Sequence, residues 1–180
     1  MKKRILSLVI LVAAVVFSSN AVAQKFRGLD KSPMDAASFP SSYKISDKTV
    51  KVVYSRPQLK GRAVSKLAPA GKVWRTGANE AAEITFYKNV MFGGKSVKAG
   101  TYTLFTIPGD KQWTVILSTA KNVWGSYFYK ESEDVVRVTG KVMKSKESIE
   151  AFSVAFEGEG NNITMYLGWG DVVVSVPVKG

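Results

Sequence analysis

From residue 43 onward, apolar and polar residues alternate along most of the chain. Val50, Val52 and Tyr54 share one phase of this pattern, and Ile84 and Phe86 share the phase of a later run. A period of two places successive side chains on opposite faces of a β-strand. No stretch keeps a helical period for more than about two turns, so the pattern predicts strands.

The alternating runs are short, and turn-forming residues separate them. Pro108, Gly109 and Asp110 lie between Thr101–Ile107 and Trp113–Leu117, and these residue types favour a tight turn. Further predicted strands contain Val136–Val142, Phe152–Phe156, Ile163–Leu167 and Val172–Val174. The whole pattern predicts an all-β fold, an antiparallel β-sandwich or a barrel-like roll of about eight or nine strands.

Turn and loop residues divide the chain further. Residues 24–42 hold two prolines and several serines, and they are predicted to form an irregular lead-in. Residues 43–180 are predicted to form a single β-domain, because no linker-like stretch divides them. Within that domain, Gly168–Gly170 are expected to separate two strands, and Pro57–Gly71 to form a long loop with at most one helical turn.

The first 23 residues predict export. A basic start at residues 2–4 precedes an apolar run, which is shorter than the roughly 20 residues that span a bilayer. Ala21–Ala23 then supplies the small-x-small pattern of a signal peptidase site. We therefore expect residues 1–23 to be removed as a signal peptide. The mature chain has no predicted transmembrane segment and is expected to be periplasmic or secreted.

The chain is basic, with a formal net charge of +12 that falls to +9 without the three basic residues at its start. A basic exported protein can attract an anionic or carbohydrate ligand of the cell envelope. Its lysines are scattered singly and no nucleic-acid-binding motif is present, so no nucleic-acid partner is expected.

The sequence contains neither His nor Cys. Their absence excludes Ser-His-Asp and Cys-His nucleophilic catalysis, and it removes the usual ligands of zinc, copper and haem. Carboxylate chemistry remains available, but no acidic stretch has the ligand spacing of a calcium-binding loop. We therefore expect no metal and no cofactor.

One segment, Gly71–Glu80, concentrates side chains that can bind a ligand. It contains Trp74, Arg75, Asn79 and Glu80, just before the predicted strand at Ile84. An arginine can hold a carboxylate or phosphate through two hydrogen bonds, an asparagine both donates and accepts, and a glutamate can act as acid or base.

Two further arginines lie upstream of this segment, and together they complete a predicted site. Arg56 follows the strand that contains Tyr54, and Arg62 lies in the long loop after it. The candidate ligand-binding residues are therefore Arg56, Arg62, Trp74, Arg75, Asn79 and Glu80. Glu80 is also a weak catalytic candidate.

A structural interpretation of the same residues stays open. Arg56 or Arg75 can pair with Glu80 and pin the loop against the sheet, and Trp74 can belong to the core. The aromatic run Trp124–Tyr129 is open in the same way, since its rings can stack on sugars or pack inside the protein.

Several motifs together resemble a known family. They are Ser32–Asp35, Tyr54–Pro57, Lys60–Arg62, Gly71–Glu80, Ala99–Tyr102 and Trp124–Gly125. They resemble the family catalogued as domain of unknown function 2911, and the resemblance covers essentially the whole mature chain. It implies a protein exported by bacteria and implies no particular activity.

Three functions are compatible with this sequence. The first is a non-catalytic envelope module that binds an anionic or glycan-like ligand. The second is a carboxylate-dependent hydrolase that uses Glu80. Such an enzyme needs a second carboxylate, and the nearest in sequence is Glu83. An extended strand would place Glu80 and Glu83 on opposite faces, which weakens the hydrolase interpretation. The third is a purely structural or assembly domain.

Overall fold

The computed structural model describes residues 24–180, which form a β-protein with little helix. Its strands are β1 (Met34–Phe39), β2 (Val50–Ser55), β3 (Ala82–Phe86), β4 (Val90–Phe92), β5 (Lys95–Val97), β6 (Gly100–Ile107), β7 (Gln112–Ser118), β8 (Asp134–Glu159) and β9 (Asn162–Lys179). Within this range the helical segments are α1 (Val64–Leu67) and a 3₁₀ turn (Glu131–Glu133). Neither has the length and apolar character that a membrane crossing requires. The predicted signal peptide, residues 1–23, lies outside the described residues.

The nine strands form one antiparallel sheet in the order β1-β2-β3-β6-β7-β8-β9-β4-β5. The sheet stays open and does not close into a barrel. The predicted antiparallel all-β fold is therefore confirmed. The predicted hairpin around Pro108–Asp110 is the β6–β7 pair, in which Leu104 lies opposite Leu117.

β8 and β9 form a long, bent hairpin. The expectation that Gly168–Gly170 separate two strands is wrong, because β9 continues through both glycines. The pairing register shifts between Lys144 and Ile149 and again before Ser153, and such bulges bend a strand without ending it. Gly168 allows the close approach, since a Cβ there would lie 2.7 Å from Ile149 Cδ1.

The bend returns the second half of β8 to the end of β2. The Leu59 N–H donates to the Glu150 carbonyl at 3.0 Å, and the Phe152 N–H donates to the Pro57 carbonyl at 2.9 Å. The Val154 N–H donates to the Tyr54 hydroxyl oxygen at 3.0 Å, and burial raises the pKa of that hydroxyl. These bonds hold the hairpin across the face of the sheet on which Tyr54 is buried, which we call the inner face.

The inner face carries the larger hydrophobic core, and aromatic rings lie at its centre. Trp74 stacks on Trp169 with ring centroids 5.3 Å apart. Phe152 meets Trp74 edge-on at 5.0 Å, and Trp113 meets it edge-on at 6.1 Å. Trp74 is therefore a core residue, as the structural interpretation of the sequence proposed.

The outer face carries a smaller core under the loop between β7 and β8. Its buried members are Ala81, Phe105 and Ile116. The Tyr129 ring packs edge-on against Phe105 at 5.3 Å, and its hydroxyl donates to Asp134 at 2.6 Å. Burial, followed by the hydrogen bond to Asp134, raises the pKa of Tyr129. The loop is thus fixed over the outer face.

A strand lies inside the segment for which the sequence predicts irregular structure. β1 pairs with β2 from Met34 opposite Ser55 to Phe39 opposite Val50, so the prediction of an irregular lead-in is wrong over Met34–Phe39. The strand lies at the edge of the sheet and buries no side chain fully, which leaves it without the usual alternating pattern. The single helical turn expected within Pro57–Gly71 is confirmed by α1.

Replacing Tyr54 by Phe should lower the free energy of unfolding by about 1–3 kcal/mol, because the buried Val154 N–H loses its acceptor. Urea denaturation of the mature protein measures this loss. The control is Tyr43→Phe, whose side chain is exposed, and it should stay within about 0.5 kcal/mol of the wild type. Equal stabilities for the two variants would contradict this role of Tyr54.

Candidate functional site

The segment from Trp74 to Glu80 runs from the core to the surface. The Trp74 backbone pairs with Thr106 through two hydrogen bonds of 2.7 and 2.9 Å. The buried Thr76 hydroxyl donates to the Thr106 hydroxyl at 3.2 Å. Beyond this anchor Asn79 is half-buried and Glu80 is exposed. The segment is therefore fixed at one end and presents polar side chains at the other.

The backbone of this turn is strained. Thr76 and Asn79 lie in the left-handed region, with φ of 54° and 59°. Asparagine tolerates that region, whereas a β-branched threonine rarely enters it. Between them, a Cβ on Gly77 would lie 3.0 Å from the Ser55 carbonyl oxygen. Strained positions cost on the order of 1–3 kcal/mol each and cluster at binding and catalytic sites, which marks the turn as a candidate site.

A short ladder joins the end of this turn to the loop between β7 and β8. The Gly125 N–H donates to the Asn79 carbonyl at 3.0 Å, and the Ala81 N–H donates to the Val123 carbonyl at 2.8 Å. Glu80 therefore lies opposite Trp124, which is 54% exposed. Because partners across an antiparallel ladder point to the same face, a carboxylate and an indole ring lie side by side.

Two adjoining cavities form a cleft around this pair of residues. Their volumes are about 200 Å³ and 180 Å³, and both are lined by Met34, Ser55 and Glu80. The polar and aromatic residues on the walls are Arg27, Asp30, Ser32, Tyr54, Ser55, Asn79, Glu80, Glu83, Asn122 and Trp124. Each cavity alone is smaller than the roughly 300–1,000 Å³ of small-ligand pockets, so a ligand of ordinary size would occupy both.

The cleft is acidic although the protein is basic. Three carboxylates, Asp30, Glu80 and Glu83, face one guanidinium, Arg27. The Ser32 N–H donates to Asp30 at 2.7 Å, and this bond, followed by the Asn79 side chain, lowers the pKa of Asp30. Asp30 is therefore ionised at neutral pH.

Glu80 and Glu83 line the same cavity, so the expectation that they lie on opposite faces is wrong. That expectation assumed an extended strand through both residues, but β3 begins only at Ala82. Glu83 accepts a hydrogen bond from the Asn122 N–H at 3.3 Å, which ties β3 to the loop over the outer face.

Two of the predicted ligand-binding arginines make their hydrogen bonds within the protein. Arg56 donates to the Phe152 carbonyl at 3.1 Å, to the Ser153 hydroxyl at 2.8 Å and to Asp35 at 3.0 Å. Arg62 donates to the carbonyls of Leu59 and Gln58, both at 2.8 Å, and so stabilises its own loop. Neither side chain reaches the cleft.

The six predicted site residues thus fall into separate places. Asn79 and Glu80 line the cleft, and Arg75 lies beside Gly125, which adjoins the cleft residue Trp124. Trp74 is in the core, and Arg56 and Arg62 hold backbone elsewhere. Within residues 24–180, neither Arg56 nor Arg75 forms the ion pair with Glu80 that the structural interpretation of the sequence invoked.

Sequence reasoning missed part of the cleft. Trp124 belongs to the aromatic run that was open to a sugar-stacking role, and the structure leaves its ring exposed. Asp30 and Asn122 carry no signal in the sequence, because a lead-in and a loop bring them to the cleft without any periodic pattern.

Two other cavities lie around α1, with volumes of about 290 Å³ and 400 Å³. The first has mainly apolar walls, including Val64, Trp113 and Val172, and Arg62 borders the second. They lack the combination of amide, carboxylate and exposed indole found in the cleft. Among residues 24–180 there is also no cluster of three His, Cys, Asp or Glu side chains that could hold a metal ion.

Comparison with known proteins gives one match. Residues 32–178 match the family described as Protein of unknown function (DUF2911). No curated protein and no solved structure matches the chain. The matched range includes both strained residues and nearly all of the cleft, except Arg27, Gly28 and Asp30.

Replacing Arg56 by Met should lower the free energy of unfolding by about 2–3 kcal/mol, because the Phe152 carbonyl and Asp35 lose a charged donor. Urea denaturation tests this expectation, with Lys51→Met, an exposed residue on β2, the strand that ends just before Arg56, as the control. A variant as stable as the wild type would contradict a structural role for Arg56.

Proposed function

The chain belongs to the DUF2911 family of proteins of unknown function, and from that premise we propose that it is an exported, non-catalytic module that binds a glycan of the cell envelope. The observation that carries this proposal is the exposed Trp124 ring beside Glu80 and Asn79 in one cleft. The predicted signal peptide supports the exported location.

The chemistry of the cleft suits a sugar. The exposed face of an indole ring can cover the apolar face of a sugar ring. The hydroxyl groups at the edge of the sugar then remain free to form hydrogen bonds. Asn79 and Asn122 can both donate and accept hydrogen bonds, and Glu80 and Glu83 can accept them from hydroxyl groups. A cleft with one aromatic platform and several amides and carboxylates therefore matches the mixed surface of a carbohydrate.

The charge of the cleft narrows the class of ligand that it can bind. Three carboxylates against one guanidinium repel a ligand with many negative charges. Arg56 and Arg62, which the sequence offered as anion-binding groups, point elsewhere. Of the anionic and glycan-like ligands that the sequence left open, the cleft favours the glycan-like class.

The strained turn supports a binding role for Asn79. Thr76 and Asn79 both have positive φ, which asparagine tolerates and threonine rarely adopts, and the half-buried Asn79 lines the cleft. A glycine would relieve the strain at position 79 while removing the amide. The asparagine keeps at this position an amide that can bond to a ligand in the cleft.

A second candidate function is hydrolysis of the same glycan. It is favoured by the two carboxylates of Glu80 and Glu83 in one cavity, since glycosidases use a pair of carboxylic acids. The Glu83 carboxylate is already engaged by the Asn122 N–H, and the Glu80 side chain is exposed. A binding role therefore has the better support.

Trp124 provides a test of glycan binding. Its indole is exposed, whereas Trp74, Trp113 and Trp169 are buried, so a sugar that covers it should change the intrinsic fluorescence. We expect saturable changes with neutral oligosaccharides, chitotetraose among them. Trp124→Ala should weaken binding, measured by calorimetry, by about tenfold or more.

The matched control for this test is Tyr87→Ala, which removes an aromatic ring of equal exposure, 54%, outside the cleft. Asn79→Gly should also weaken binding without loss of stability, because glycine accepts the left-handed backbone. Equal binding by Trp124→Ala and Tyr87→Ala would refute the site.

Glu80→Gln separates binding from hydrolysis. In a binding module, the wild type leaves chitotetraose intact on long incubation, and the variant changes affinity only modestly because the amide still accepts hydrogen bonds. Chromatography of the incubated oligosaccharide is the measurement. Cleavage by the wild type that Glu80→Gln abolishes would establish the hydrolase in place of the binding module.

A further inference from the structure

Arg75 is held on the outer face of the sheet without a partner. Its Nε atom is buried and has no hydrogen-bond acceptor, and its side chain forms no hydrogen bond or ion pair within residues 24–180. Arg56, Arg62 and Arg137 each bond to protein oxygens. A buried donor without an acceptor is costly, and the terminal nitrogens of this half-buried side chain are left to bond to solvent or to a ligand.

The guanidinium lies beside Gly125, the residue that follows Trp124 of the cleft. A Cβ on Gly125 would lie 3.3 Å from Arg75 Nη1 and 2.5 Å from the Tyr127 ring. Gly125 also has a φ of 70°, so this position favours glycine both by space and by backbone conformation. The preceding residue, Trp124, lines the cleft. Gly125 therefore lies between the residue that carries the indole and the guanidinium of Arg75.

Several carboxylates of the outer face are engaged by other groups, and within residues 24–180 the exposed Glu80 forms no ion pair with Arg75. Arg137 pairs with Asp134 at 3.0 Å and with Glu131 at 3.2 Å, and Glu133 lies 3.6 Å from Lys130. Glu83 accepts from a backbone N–H. The protein thus leaves Arg75 with a charge that an external anion can satisfy through the terminal nitrogens.

We propose that Arg75 is the acid-recognition residue of the site and binds the carboxylate of a glycan whose neutral part covers Trp124. This proposal rests on the proposed function and adds the class of its ligand. Guanidinium and carboxylate groups fit each other through two parallel hydrogen bonds, which gives the contact both strength and orientation.

The proposed ligand must carry few acidic groups, and these must be separated along its chain. Arg75 adds one cation beside the cleft. The walls of the cleft carry three carboxylates against the single guanidinium of Arg27, which disfavours further negative charge inside it. A glycan in which each acidic sugar is flanked by neutral sugars satisfies both conditions. A chain made only of uronic acids does not, because adjacent carboxylates would face the acidic walls.

The test compares two tetrasaccharides that differ in their acidic groups. One alternates N-acetylglucosamine and N-acetylmuramic acid, and the other is the neutral chitotetraose. Calorimetry at low salt should show that the wild type prefers the acidic tetrasaccharide. Arg75→Gln should weaken binding of the acidic compound about 10- to 100-fold and leave binding of chitotetraose within about twofold.

Two control variants complete the design. Lys72→Gln removes one positive charge from an exposed residue nearby and should leave the preference intact. Arg75→Lys keeps the charge but not the planar fork, and it should restore only part of the preference. Arg75→Gln should also melt close to the wild type, because Arg75 forms no hydrogen bond within the described residues.

The outcomes separate this inference from the proposed function. Trp124-dependent binding of chitotetraose, with no gain for the acidic compound, overturns the role of Arg75 and leaves glycan binding standing. Arg75-dependent binding of the acidic compound that Trp124→Ala does not weaken supports the anion site and refutes the cleft. Binding of neither tetrasaccharide, or an equal loss in Lys72→Gln, overturns the inference.

Discussion

The anchoring of Trp74 is the contact on which the site depends. Its ring stacks on Trp169 in the inner core, and its backbone forms two hydrogen bonds with Thr106 on β6. With this point fixed, the next residue, Arg75, must face the outer side of the sheet, because successive side chains of extended backbone alternate. The chain then turns through strained positions and delivers Asn79 and Glu80 to the surface.

The strain is sustained because stronger interactions surround it. Thr76 is fully buried and bonded to Thr106, and Gly77 packs against the backbone of β2. On the far side, the ladder between residues 79–81 and 123–125 holds the turn against the loop that carries Trp124. Groups held in place from several sides in this way would lose less entropy on binding the proposed ligand.

The arginines illustrate how context decides the role of one residue type. Arg56 bonds to β8 and to Asp35, Arg62 bonds to carbonyls of its own loop, and Arg75 has no acceptor in the described chain. The sequence presents all three as equivalent guanidinium groups close to strand ends. Their difference arises from the face of the sheet on which each lies and from the bend of β8, which brings Phe152 and Ser153 to Arg56.

The sequence by itself determined the all-β class and most strand positions, because alternation and turn chemistry are local properties. It also singled out Gly71–Glu80 as the segment of a candidate site. It did not reveal β1, whose side chains bury too little to show a pattern, or the continuity of β9 through its glycines. Only the tertiary structure decided that Trp74 is core, that Glu80 and Glu83 share a cavity and that Trp124 adjoins Glu80. These relations join residues distant in sequence, or depend on the residue at which a strand begins, and no local pattern encodes them.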